Sequence, residues 1–302
     1  MNNKKHPLVS VIICNYNYGQ YIGEAIESVM SQTYSNIELV IIDDGSTDNS
    51  RKVINLYTTS NPAIKYRKQQ NQGIVFARNL GIELASGDYI VFLDSDDKFP
   101  NNYIKTLFDV AISRSFDITY CDLRQFGTGI NRKIKLPEFS LSDIKWHNIV
   151  HISALIKRSI IKNHRFDVNL NKKLNHEDWD FFLALALDGA RIGKTEKTYL
   201  LYRAHDKSRS FNSKDTDIEK ALKSSQYIIE KYASKNNYST DMQYLKCIGN
   251  YMKQVEECRN VVAYNEAKII DLEKQLDVTK KSRSYRLGNV LTSPMRFFKK
   301  KN

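Results

Sequence analysis

Three acidic clusters carry the chemistry latent in this chain of 302 residues. The first, Asp94-Ser95-Asp96-Asp97, follows the continuous apolar run Tyr89-Ile90-Val91-Phe92-Leu93. Such a run reads as a strand buried on both faces. Carboxylates so close together repel one another, and burying them requires a cation or hydrogen-bond donors. Asp94 and Asp96 are two apart, so in extended backbone they point the same way. That suits a hard divalent cation, which takes oxygen ligands and often bridges a carboxylate to substrate phosphates. The alternative is a capped helix start, with Pro100 in the first turn. The second cluster is Asp43-Asp44-Gly45-Ser46-Thr47-Asp48, at the end of the apolar run Ile37–Ile42. Asp48 or Ser46 can cap the helix that follows, which leaves Asp44 unassigned. The third, His176-Glu177-Asp178-Trp179-Asp180, opens an apolar helix, Phe181–Leu187.

The elements that must position these clusters alternate. Strands are expected at Leu8–Cys14, Ile37–Ile42, Ile64–Tyr66, Tyr89–Leu93, Asp117–Asp122, Ile149–Ile156 and Thr198–Tyr202. Helices are expected at Tyr21–Gln32, Ser50–Tyr57, Ile74–Leu84 and Asn101–Ser113, with residues 123–148 irregular. The alternation predicts an α/β fold: a mostly parallel sheet flanked by helices, with right-handed crossovers. The acidic clusters then stand at the carboxyl ends of strands, where such sheets bind ligands. Asn71-Gln72-Gly73 turns into a helix carrying Arg78. Gly73 allows close backbone approach, the helix start favours anions, and Arg78 reads either as a phosphate contact or as a solvated helix arginine.

From about Asp215 the character changes. Ile248, Val255, Val262, Ile269 and Leu276 recur every seven residues, which reads as a long helix or weak coiled coil. The expected division is a sheet domain at 7–213 and a helical extension at 214–302, a possible site of homo-oligomer formation. The extension ends in Lys280–Lys301, with eight basic and no acidic residues interleaved with Tyr285, Phe297 and Phe298. That mixture reads as a peripheral anchor on an anionic membrane, or as a disordered basic terminus. The net charge of +12 favours an anionic partner, but no nucleic-acid-binding fold accompanies it. Cys14, Cys121, Cys247 and Cys258 lack metal-site spacing and read as reduced thiols. No signal peptide and no membrane-length apolar run are evident.

The ordered set ValSerValIleIleCysAsnTyrAsn, AspAspGlySerThrAsp, AlaArgAsnLeuGly, LeuAspSerAspAsp, AsnHisGluAspTrpAspPhePhe and TyrArgAlaHisAspLysSer spans about residues 7–210. It resembles the inverting glycosyltransferases of family 2, which bind nucleotide sugars on a GT-A fold. The resemblance implies that Tyr16 packs on the nucleotide base, that Asp44 binds uracil or ribose, and that Asp94 lies near the ribose. It implies that Asp96 binds a divalent cation, Mn or Mg, with His205 completing the metal or diphosphate site. It implies Asp178 as general base, with Glu177 as a rival or as an acceptor contact. Trp179 reads either as a ring on which an acceptor sugar stacks or as core packing. The expected partners are a UDP-sugar donor and a glycan or lipid-linked oligosaccharide acceptor. The expected setting is bacterial cell-surface polysaccharide synthesis on the cytoplasmic face of the membrane. Competing classes are a nucleotidyltransferase, which would be expected to carry a basic glycine-rich loop where Asn15–Gly19 has no Lys or Arg, and a non-catalytic scaffold, which would have lost its carboxylates.

Overall fold

The computed structural model describes residues 6–127, 131–171, 174–205 and 215–233, with isolated positions further on. The chain forms two compact units, Met1–Cys247 and Ile248–Asn302. The heptad pattern and the basic tail lie outside the described residues. Among those described, no helix is long and apolar enough to cross a membrane.

In chain order the elements are β1 (Val9–Asn15), α1 (Ile22–Met30), β2 (Ile37–Asp43), α2 (Ser50–Ser60), β3 (Lys65–Lys68), α3 (Ile74–Leu84), β4 (Tyr89–Asp94) and α4 (Tyr103–Arg114). Then follow β5 (Ile118–Phe126), β6 (Arg132–Ile134), α5 (Leu141–Ile144), β7 (Leu155–Lys157), α6 (Arg158–Ile161), a 3₁₀ turn at Val168–Leu170, α7 (Glu177–Leu187), β8 (Ile192–Arg203) and α8 (Asp215–Lys231). The strands build one sheet in the order β3-β2-β1-β4-β7-β5-β6, with β8 beside β5. β1 pairs in parallel with β2 on one side and β4 on the other. The chain therefore steps outward through β2 and β3, then returns across β1 to lay down β4. That reversal opens a crevice at the carboxyl ends of the strands. The register brings the acidic exits level: Asn15 stands opposite Asp43, and Cys14 opposite Asp94.

Both faces of the central strands are covered, as their unbroken apolar runs require. Ile12 and Phe92 pack in one core with residues of α3, α7 and α8; Ile13 and Val91 pack in the other with α1, α2 and α4. Residues 123–148, expected to be irregular, hold the end of β5, β6 and α5, and three further expectations change. Only Leu155–Lys157 of the run Ile149–Ile156 is a strand, because a turn closes from Ala154 N–H to His151 O. Ile149, Val150 and Ile152 are buried without joining a ladder. β8 begins six residues earlier than Thr198. Its first half is masked in sequence by charge, yet Lys194 is buried because Asp122 Oδ1 meets its ammonium at 2.7 Å. Finally, α8 belongs to the first unit, not to a detached extension. Ile228 and Ile229 are fully covered in the core beneath α7. Lys231 Nζ reaches Asp167 Oδ2 at 2.7 Å and Asp180 Oδ1 at 2.8 Å.

Candidate active site

The turns after β1 and β2 are stitched together. Ser46 Oγ accepts from Asn15 Nδ2 and Asn17 N–H, each at 3.0 Å. Asn17 Oδ1 in turn accepts from Thr47 N–H at 2.8 Å, and Asp48 Oδ2 from Gly19 N–H at 2.9 Å. Asp48 Oδ1 also caps the start of α2 through Ser50 N–H. These bonds hold Tyr16 at the rim, where it is 45% exposed and presents its ring to solvent.

Asp43 and Asp44 divide the work of their turn. Asp43 is buried and accepts from Ser46 N–H and the Tyr66 hydroxyl. Asp44 points to the start of α3. Its Oδ1 accepts from Gln69 Nε2 and Gln72 N–H, and its Oδ2 from Gly73 N–H at 2.8 Å. The anion at the positive end of α3 is thus the protein's own carboxylate, which corrects the expectation of a phosphate there. Gly73 is required because its φ is +100° and the Asn171 side chain fills the space a Cβ would take. A carboxylate offers about four acceptor positions, so Asp44 retains room for one further donor.

The β4 exit is tied to the end of β8. Arg203 donates from Nε to Asp96 O at 2.7 Å, and its own N–H donates to Asp97 Oδ1 at 2.8 Å. Its guanidinium lies between the Tyr21 and Phe126 rings, 4.6 and 4.5 Å from their centroids, and pairs with Glu24. This places His205 Nε2 3.0 Å from Asp96 Oδ2, with Tyr21 packed on the imidazole. Burial and then Asp94 push the Asp96 carboxyl up, with His205 opposing. Asp97 is raised further by burial, Asp96 and Asp94. Among the described residues, no three His, Cys, Asp or Glu side chains converge to hold an ion alone. The Asp96–His205 pair nevertheless fits one. The two are joined by a hydrogen bond, and a carboxylate oxygen and an imidazole nitrogen are donors that a divalent cation would accept. A dication would also relieve the crowded carboxyls. Substrate oxygens would complete the shell.

Arg78 joins this exit to α7. Its guanidinium is 3% exposed, with Nη1 2.9 Å from Glu177 Oε1 and Nη2 3.3 Å from Asp94 Oδ1. Burial disfavours the cation, but Asp94, Glu177 and Asp178 overcome it and push the pKa up. Neither reading of Arg78 from sequence holds: it is neither solvated nor turned to a phosphate, because two carboxylates engage it. Glu177, buried against Arg78, is likewise withdrawn from the roles of base and acceptor contact. Trp179 is 2% exposed, and its indole donates to Ile144 O, so core packing replaces sugar stacking. Asp180 is buried under Lys231, whose ammonium meets its Oδ1 at 2.8 Å.

Among the described residues, Asp178 is the carboxylate of this turn without an ion-pair partner in contact. Its Oδ1 accepts from Trp179 N–H and its Oδ2 from Asn148 Nδ2, each at 2.9 Å. Burial and then Glu177 push its carboxyl up to about 6, with Arg78 opposing. Asn148, Arg203 and Glu24 were missed from sequence. Arg203 stands two residues before His205, a usable signal; Asn148 lies in an irregular stretch whose spacing marks nothing.

The family model described as glycosyl transferase family 2 matches residues 10–184. An uncharacterized glycosyltransferase of Haemophilus influenzae is 36% identical over 188 residues, covering 59% of this chain and 71% of that protein. The Escherichia coli protein WfaP, named UDP-Glc:alpha-D-GlcNAc-diphosphoundecaprenol beta-1,3-glucosyltransferase, is 32% identical over 210 residues, covering 68% and 80%. Among solved structures, S. aureus TarS 1–349 in complex with UDP-GlcNAc superposes with a TM-score of 0.61 at 20% identity, covering 78% of this chain and 69% of that one; this likeness bears on the fold. The family match runs from β1 into α7 and so takes in every acidic cluster but the closing histidine: the chain belongs to glycosyl transferase family 2.

Proposed function

We propose that the chain is a metal-dependent inverting glycosyltransferase that moves a sugar from a UDP-sugar to a glycan hydroxyl. One observation carries this reading. Arg78 bridges Glu177 in the acidic turn of α7 and Asp94 at the β4 exit, so Asp178, a carboxylate of raised pKa, lies within the field of Asp94, two residues before Asp96. Asp178 accepts the proton of the acceptor hydroxyl as that oxygen attacks the anomeric carbon. The bond from that carbon to the diphosphate breaks on the opposite face, and UDP leaves with the bonding electrons. Asp96 and His205 would hold a divalent cation, whose charge would offset that of the leaving diphosphate. The oxygen and imidazole donors suit Mn or Mg, and the imidazole favours Mn. Tyr16 covers the base, Asp44 accepts from uracil or ribose, and Asp94 stands near the ribose.

The acceptor we propose is a lipid-linked oligosaccharide at the cytoplasmic face of the membrane, in cell-surface polysaccharide synthesis. The name of the WfaP relative, with its diphosphoundecaprenol acceptor, and the basic aromatic tail Lys280–Lys301 support it. A panel of UDP-sugars, assayed for UDP release with Mn²⁺ or Mg²⁺, tests the donor. Because Asp178 must be ionised to take a proton, turnover should climb as pH rises through about 6 and level off above it. Asp178→Asn should keep UDP affinity and lose about a hundredfold or more in turnover. Retained turnover in that variant refutes the assignment.

A further inference from the structure

Asn148 stands on the loop between α5 and β7, thirty residues before the carboxylate it touches. Its side chain is committed at both ends. Oδ1 accepts from Val150 N–H at 3.1 Å, which fixes which end of the amide faces α7, and Nδ2 then donates to Asp178 Oδ2 at 2.9 Å. The end of α5, from which that loop leaves, is itself pinned to α7, because the Trp179 indole donates to Ile144 O. An amide nitrogen has hydrogens to give and no lone pair to receive with. It can therefore only donate to Asp178 Oδ2, and the bond strengthens when that oxygen is charged.

We infer that Asn148 is a positioning residue for the catalytic carboxylate: it keeps Asp178 ionised and in one rotamer, ready to receive the acceptor proton. The inference rests on the reading of Asp178 as the base. The surroundings explain why such a donor is needed. Glu177 lies beside Asp178 on α7 and Asp94 approaches from β4, and both disfavour its charge. Arg78 from α3 favours it, but Arg78 is already engaged by Glu177 and Asp94. Among the described residues, apart from the N–H of Trp179 within α7 itself, Asn148 supplies the direct hydrogen bond to Asp178. The proton taken up during transfer must go to a lone pair that Asn148 does not face, so the same amide restricts where the base can be protonated.

The test is a titration of the full chain labelled with ¹³C at aspartate carboxyls. The Asp178 signal is identified by its loss in Asp178→Asn. Losing a hydrogen bond to a charged group should raise the Asp178 midpoint by about one to two pH units in Asn148→Ala. Asn148→Ser should do the same. Its hydroxyl can still accept from Val150 N–H, so the loop keeps its turn, but it is too short to reach Asp178. The acid limb of UDP release, with water as acceptor and a UDP-sugar that the parent hydrolyses, should move by the same amount. Activity lost at pH 7 should then be largely regained near pH 9. An unmoved midpoint in both variants overturns the inference, as does a fall in rate at every pH with the acid limb in place, which would mark a packing role alone. Transfer retained in Asp178→Asn would instead sink the assignment of the base, so the two failures are distinguishable.

Discussion

Replacing Arg78 by methionine should destabilise the first unit by an amount that the geometry sets. The guanidinium is 3% exposed and Glu177 is 6% exposed, so the substitution leaves Glu177 buried with its cation gone. Breaking a buried pair in this way costs about 3–5 kcal/mol. Asp94 adds little, because its side chain is 35% exposed and water screens it. For a unit of this size each kcal/mol moves the melting midpoint by about 2–4 °C, so the drop should be about 6–20 °C. The double variant Arg78→Met/Glu177→Leu removes both charges and should recover most of that loss, since an apolar pair of similar volume often replaces a buried ion pair at little cost. The assay is a set of thermal melts by circular dichroism for parent, both single variants and the double. A single Arg78→Met variant melting within about 2 °C of the parent would refute the reasoning. So would a double variant as unstable as that single one.

Three further outcomes are expected. Asp96→Asn should abolish the tightening of UDP binding by Mn²⁺ and leave binding in chelator unchanged; calorimetric titration with and without the ion checks this. Lys231→Met should cost about 3–5 kcal/mol in urea unfolding, because Asp180, 1% exposed, loses the ammonium that holds it; an unmoved midpoint would show that α8 docks without this pair. Deleting Lys280–Asn302 should release the protein from anionic vesicles, while binding by the full chain should weaken as salt rises; unchanged co-sedimentation would remove the anchor.

The strands around the reversal of the sheet were legible because burial on both faces demands an unbroken apolar run, as in Val9–Cys14 and Tyr89–Leu93. The acidic clusters were legible for the opposite reason: charge that ends such a run abruptly stands out. What failed was the reading of partners. Lys194 looks like a surface residue until Asp122 is placed beside it, which hides half of β8. Ile149–Ile156 has the composition of a strand, but composition does not say that His151–Ala154 turns back. Arg78 and Trp179 have types suited to ligands, and only the fold shows that neighbouring side chains already use them. Asn148 carries no signal at all, since its meaning depends on a carboxylate thirty residues away.

These errors share a cause, and α3 shows it. The helix receives the Asp44 carboxylate at its first turn and, through Arg78 in its second, holds Asp94 on one side and Glu177 on the other. Asp44, Asp94 and Glu177 are far apart in sequence, and each cluster alone is an overcharged turn. The helix makes them one site by giving each a donor at its own height along the axis. Gly73 lets the helix begin close against Asp44, and the 3.6-residue repeat then sets Arg78 over the exit of β4. Asp178 is the exception that makes the arrangement usable. Burial and Glu177 raise its carboxyl, and Arg78 opposes them without contacting it, so it stays able to take a proton while its neighbours are neutralised by pairing.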